Sequence, residues 1–202
     1  MFKRILPLAV LGVLVLSMAG CGGAEEPKKA EEPAAAAPAP KPAEEAGPVY
    51  EITKDQITSH PGWTSRNVSV LGVKLGDKTR DVEKNLGAVE NARTTAEDYL
   101  TIYQGNGIFV YTFKITGKAR RIEVNQAFAK KVADEKLQKL LTSGDLKLMR
   151  EVLGMEEGPA IENTDDNAME YPYDSRGFRF VKFKVQGKTL NALRLIEPKK
   201  AT

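Results

Sequence analysis

The sequence predicts an α+β protein. Two tandem helix-helix-β-β-β units should form antiparallel sheet covered by helices on one face, after a signal peptide and a disordered linker. Three observations lead there. A set of turn and strand residues recurs at a fixed offset: Tyr103, Gly107, Phe113, Gly117 and Lys118 return seventy positions later as Tyr173, Gly177, Phe183, Gly187 and Lys188. Segments 108–115 and 178–185 follow a period of two, whereas other stretches carry helical spacing. The composition also changes abruptly near residue 49. The competing reading of the repeat is a chance likeness of two β-meanders, since turn residues are common to many folds.

The chain divides into 1–20, 21–48, 49–124 and 125–202. Residues 1–20 read as a targeting peptide: Lys3 and Arg4 give a positive start, 5–16 an apolar run, and Ser17-Met18-Ala19-Gly20 small residues before Cys21. That run is short of the about 20 apolar residues of a spanning helix. Residues 22–48 contain no Leu, Ile, Val or aromatic side chain and repeat Pro, Ala, Glu and Lys. Such a segment buries too little to offset the entropy of ordering its backbone, and extended it reaches about 80 Å, at roughly 3.1 Å per residue.

Ser17-Met18-Ala19-Gly20-Cys21 resembles the lipobox of bacterial lipoproteins, although Met18 stands where Leu is usual. The resemblance implies cleavage before Cys21 and lipidation of its thiol, so the membrane becomes a partner through Cys21. Several acyl chains are needed for durable anchoring, because each buried methylene contributes about 0.8 kcal/mol and one chain holds only marginally. Gly22 follows the cysteine where this family uses Asp for inner-membrane retention, which implies the periplasmic face of the outer membrane. Cys21 is the sole cysteine, so an intramolecular disulfide and a CxxC motif are both excluded.

In the first unit, Thr79 is the expected N-cap of a helix. Asp81 and Glu83 lie at its positive end, Val82 and Leu86 on one face, and Gly87 at its close. A preceding helix should lie near 55–59. In the second unit Val132, Leu137, Leu140 and Leu141 mark a helix closed by Gly144, and Leu146, Met149, Val152 and Leu153 mark another closed by Gly154. Strands are expected over 99–103, 108–115, 121–124, 169–173, 178–185 and 190–196, with hairpin turns at Gly117-Lys118 and Gly187-Lys188.

One strand face presents Phe109, Tyr111, Phe113 and Ile115, matched by Arg179, Val181, Phe183 and Val185, and is expected to pack on the helices. Phe113 and Phe183 should then be buried, while Lys114 and Lys184 tolerate truncation. The other face carries Ile108, Val110, Thr112 and Lys114, matched by Phe178, Phe180, Lys182 and Lys184. Apolar anchors beside cations suit a protein partner, so Ile108, Val110, Phe178, Phe180, Lys182 and Lys184 are the candidate partner-binding residues. The competing use of these residues is contact between the two units.

A Gly-Asp before a helix that ends Leu-Gly, with three strands after it, resembles the small lipoprotein of the outer-membrane β-barrel assembly machinery and the tandem β-lactamase inhibitor proteins. The resemblance covers about 75 residues twice over, and it implies the fold and a binding or scaffold role without catalysis.

Other chemistry is sparse. The 30 basic and 27 acidic side chains are interspersed and leave a net charge of +3, with no nucleic-acid-binding motif, so no nucleic-acid partner is expected. His60 lies in the turn-like Ser59-His60-Pro61-Gly62-Trp63 with no orienting group assignable, and Trp63 reads as a packing residue. The acidic stretch 156–167 offers oxygen ligands but lacks EF-hand spacing. Its Glu162, Asp165 and Asp166 are the carboxylates a hydrolase would use, and a small-ligand or cation sensor is a third reading. No catalytic set, metal site or cofactor is expected. The sequence favours a lipid-anchored, non-catalytic envelope binding or scaffold protein with an envelope protein as partner.

Overall fold

The computed structural model describes residues 47–199. The peptide 1–20, Cys21 and the tether up to residue 46 lie outside the described residues. Strand β1 (Tyr50–Glu51) pairs in parallel with β2 (Val68–Ser69), with two 3-10 turns between them at Ile57–Ser59 and Ser65–Asn67. The helix expected near 55–59 is therefore one 3-10 turn. The Glu51 N–H donates to the Asp55 carboxylate at 2.6 Å, which fixes a tight bend on one side, and Pro61-Gly62 closes the other.

Helix α1 (Thr79–Leu86) buries Val82 and Leu86, and its C-cap Gly87 donates its N–H to Glu83 O. Thr79 is the first helical residue, not the N-cap: Lys78 is the cap, and the Thr79 N–H reaches Gly117 O at 3.1 Å across to the sheet. Strands β3 (Asn91–Thr94), β4 (Asp98–Tyr103), β5 (Ile108–Phe113) and β6 (Lys118–Asn125) follow as an antiparallel meander. Helix α2 (Glu135–Ser143) is capped by Asp134, whose carboxylate accepts from the Lys136 and Leu137 N–H groups. Helix α3 (Leu146–Leu153) is capped in the same way by Asp145, which accepts from Leu148 N–H. A second meander completes the chain: β7 (Ile161–Asn163), β8 (Ala168–Tyr173), β9 (Phe178–Val185) and β10 (Lys188–Ile196).

The eight strands form one antiparallel sheet in the order β3-β4-β5-β6-β10-β9-β8-β7, joined at its centre by β6 and β10. Each half has four strands where three are expected. The outermost strands escape notice in the sequence because β3 is exposed throughout and β7 is three residues long.

The helices cover one face, and the face assignment is the reverse of the sequence expectation. Ile108, Val110, Phe178 and Phe180 are fully buried in one core with Val82, Leu137, Leu140, Leu141, Met149 and Leu153. Phe109 and Phe113 are only half-buried and Ile115 is 85 % exposed. Strand pairing explains the reversal. Val110 lies opposite Ile122, Ile108 opposite Val124, Phe178 opposite Leu195 and Phe180 opposite Leu193, so one continuous apolar face exists only at these positions. Burying each such side chain contributes about 1.5–3 kcal/mol.

The segment before α1 locks onto the far half of the sheet. Trp63 stacks on Phe178 with ring centroids 4.5 Å apart, and Phe178 stacks in turn on Tyr173 at 4.9 Å. Ser65 donates its N–H to Arg176 O and its hydroxyl to Ile196 O, while Asp134 accepts from the Thr58 N–H at 2.8 Å. Gly177 sits under Ser65 with φ of +76°, and a Cβ there would collide with the Ser65 hydroxyl and the Ile196 carbonyl.

Candidate functional site

The residues expected to bind a partner do not form a surface. Ile108, Val110, Phe178 and Phe180 lie beneath the helices with no exposed area. Lys182 shares their face but donates its ammonium to Gly144 O at 2.8 Å, closing the C-terminus of α2, and Lys184 is exposed beyond the helix layer. Cys21 lies outside the described residues. His60 stacks on Tyr50 at 4.2 Å. Of the three acidic candidates, Glu162 and Asp165 are exposed, whereas Asp166 is ion-paired to Arg194. Among the described residues no group of three or more His, Cys, Asp or Glu is placed to hold a metal ion.

The chemically loaded surface is the opposite, uncovered face. Register alone brings its charges together: Glu123 lies opposite Arg194 across the β6–β10 seam, and Arg194 lies opposite Arg179. Arg194 donates to Glu123 at 2.9 Å, to Asp166 at 3.0 Å and to Glu170. Arg179 donates to Glu170 at 2.5 Å and to Asp174 at 2.9 Å, and Lys199 holds Asp174 from outside. Glu123, Glu170 and Arg194 are no more than 3 % exposed. Desolvation offsets much of the attraction in such a cluster, but removing one member strands the others in a dry environment.

The two buried glutamates respond in opposite senses. Burial pushes the Glu123 carboxyl up despite Arg194 and Arg121, because it shares Arg194 with two other carboxylates. Burial also acts to raise Glu170, but its bond from Arg179 and the charge of Arg194 outweigh it and hold Glu170 below the ordinary range. At Arg194 burial is overcome by three facing carboxylates, and the guanidinium is held more firmly protonated.

Beside the network lies a trough of about 300 Å³ lined by Phe109, Tyr111, Phe183, Val185, Leu190 and Ala192, with Arg93, Glu123 and Asn125 as its polar members. These residues come from β3, β5, β6, β9 and β10, so the uncovered face bends around the trough. A β-bulge at Tyr111/Thr112 lets consecutive Arg120 and Arg121 both reach aromatic rings of this face. Arg120 lies 4.9 Å from the centroid of Phe113 and Arg121 lies 3.3 Å from that of Tyr111. Burial pushes the Tyr111 hydroxyl up to about 12, with the Glu123 charge adding to it.

The missed residues left a signal in the sequence. Arg121, Glu123, Arg179 and Arg194 alternate with Ile122, Val124, Phe178, Phe180, Leu193 and Leu195, so charge rather than aromatic count identifies the uncovered face. No protein-family model matches the chain, and no curated protein matches it. Among solved structures, a DUF4309 family protein (YjgB) from Bacillus subtilis is similar at a TM-score of 0.42 and 14 % identity over 60 % of this chain and 78 % of that one, a likeness too slight to carry fold or function across.

Proposed function

We propose that this chain is a lipid-anchored, non-catalytic binding module of the bacterial envelope, tethered through Cys21 at the periplasmic face of the outer membrane, with the uncovered sheet face as its recognition surface. The observation that carries the binding role is the trough of Phe109, Tyr111, Phe183, Val185 and Leu190 set against a buried ionic network. The network stiffens the floor, and the aromatic walls give a large apolar contact at small entropic cost, as binding surfaces do. The lipobox-like Ser17–Cys21 and the Pro/Ala/Glu-rich segment support the tether. A tandem origin is supported by two four-stranded meanders, each preceded by a helix ending in glycine, Gly87 and Gly154.

The test is photo-crosslinking in living cells, with a photoreactive residue at Val185 or Arg93 in the trough and at Lys139 or Glu151 on the helices. Adducts confined to the trough positions support the reading, and equal or absent adducts at all four overturn it. For the anchor, Cys21→Ser should move the protein from the detergent phase to the aqueous one in phase partition, and an unchanged distribution would count against lipidation.

A further inference from the structure

We infer that a second site, on the helix side of the sheet, binds a small organic acid, a compact apolar body with one carboxylate, seated against Arg176 and His60. The inference goes beyond the trough and does not depend on it. The site is a cavity of about 310 Å³ where three segments meet: the turn 58–63, the C-terminal end of α3 and the β8–β9 turn that carries Arg176. That volume lies at the small end of ligand pockets, which hold about 300–1,000 Å³. Pro61, Trp63, Val152 and Leu153 supply apolar wall, and no carboxylate is among the lining residues.

Charge balance singles out Arg176. Among the described residues every arginine except Arg93 and Arg176 is ion-paired to a carboxylate. Arg93 stands on an exposed strand, where water solvates it. Arg176 is half-buried, 4.8 Å from the ring centroid of Trp63 and 4.6 Å from that of Phe178. Burial holds its guanidinium below the ordinary arginine value, with the charge of Glu157 acting the other way. Glu157 is engaged elsewhere, accepting from the Ser175 N–H and hydroxyl. Asp134, beside the cavity, accepts from Thr58 and from the first turn of α2.

The donors are set in place. Arg176 Nε donates to Trp63 O at 3.3 Å and Nη1 to Leu153 O at 3.0 Å, which fixes the guanidinium plane. Nη2 has no acceptor among the described residues and is not shut off from solvent, so its N–H groups stay open to a ligand. The His60 ring, stacked on Tyr50, makes no side-chain hydrogen bond among the described residues. The carbonyls at the negative end of α3 are already met, Leu153 O by Arg176 and Gly154 O by the Tyr173 hydroxyl at 2.9 Å. A fixed guanidinium with free N–H groups loses little freedom on gripping a carboxylate, and it regains a counter-charge that its own surroundings do not supply.

Trp63 is the sole tryptophan of the chain, so its emission reports on this cavity. The test titrates the purified full-length chain with cyclohexanecarboxylate, which leaves indole fluorescence unobscured, and takes stoichiometry from calorimetry. The neutral cyclohexanecarboxamide and inorganic phosphate serve as matched arms. The expected result is a saturable change in emission at one carboxylate per chain, about tenfold tighter than either arm, the worth of one charge-assisted bond or of a small apolar contact. Because Arg176 also ties three segments together, variants at the half-buried and exposed wall carry the test. Pro61→Glu should weaken binding about fivefold by repulsion, and His60→Gln by a similar factor through loss of a donor. Arg93→Gln, the other arginine without an ion pair, should leave it unchanged. No saturable change, amide or phosphate bound as tightly as the carboxylate, or affinity indifferent to both Pro61→Glu and His60→Gln would each overturn the inference, while crosslinks from the trough would stand or fall separately.

Discussion

The two faces of the sheet solve the same problem with opposite chemistry. The covered face meets helices through Ile108, Val110, Ile122, Val124, Phe178, Phe180, Leu193 and Leu195, and its polar side chains serve the helix ends: Asn191 donates to Leu141 O and Lys182 to Gly144 O. Among the described residues no helix lies above the uncovered face, yet Glu123, Glu170 and Arg194 are as dry as the core. Long arginine side chains lying over aromatic rings and carboxylates act as its cover. One face is therefore held by apolar area, which is insensitive to pH, and the other by mutual neutralisation, which is not. A self-neutralising network keeps this face ordered where no helix of the described residues packs on it.

The sharpest way to break this comparison is truncation on the covered face. Phe180→Ala should cost about 3–5 kcal/mol, because the cavity lies under packed helices and cannot collapse. Denaturant melts would check it, and a loss no larger than that of Phe183→Ala would mean the faces are wrongly assigned. On the uncovered face Arg194→Ala should cost about 3 kcal/mol by removing the cation that Glu123 and Glu170 share, leaving Glu123 with Arg121 and Glu170 with Arg179. Arg194→Met should recover part of that loss only when combined with Glu123→Gln and Glu170→Gln. Phe183→Ala comes next at about 1–2 kcal/mol, since that ring is half-buried against the trough.

Acidity gives a smaller effect with a definite sign. Glu170 and Asp174 are held below their ordinary values of 4.5 and 3.8, so their contribution is present above those values and lost as pH falls through the lowered ones. Glu123 is raised above 4.5, so its contribution is present below that value and lost as pH rises through the raised one. Melting temperatures from pH 3 to 7 should therefore fall less on the acid side for Glu170→Gln than for the unaltered chain. For Glu123→Gln the difference from the unaltered chain should shift in the variant's favour as pH rises toward neutral; curves of identical shape for both variants would contradict the opposed shifts. Smallest of all, Lys184→Ala should leave the melt unchanged.

Much of the framework could be read before any coordinates. Gly87, Gly144 and Gly154 close helices where expected, and Val82 with Leu86, and Met149 with Val152 and Leu153, are their buried positions. The strands over 108–113 and 178–185 lie where the period of two places them. Which face they bury could not be taken from either strand alone. Phe109 and Tyr111 are as apolar as Ile108 and Val110, so within β5 the alternation has no contrast, and a shift of one residue exchanges the faces. The contrast resides in β6 and β10, where Arg121, Glu123 and Arg194 alternate with Ile122, Val124, Leu193 and Leu195.

The sequence by itself determined the α+β class, the antiparallel habit, the glycines that close the three helices and the inner strands, because caps, turns and periodicity act within a few residues of one another; it did not show β3, β7 or the 3-10 turn at Ile57–Ser59. The tertiary structure alone decided that β6 meets β10, that Trp63 crosses to stack on Phe178, and that Glu123, Glu170, Asp166 and Arg194 converge from four separate segments. Those contacts join residues up to 115 positions apart. No local propensity encodes them; they follow from the register in which the apolar side chains of the covered face and the buried charges Glu123, Glu170 and Arg194 of the uncovered face find their partners at once.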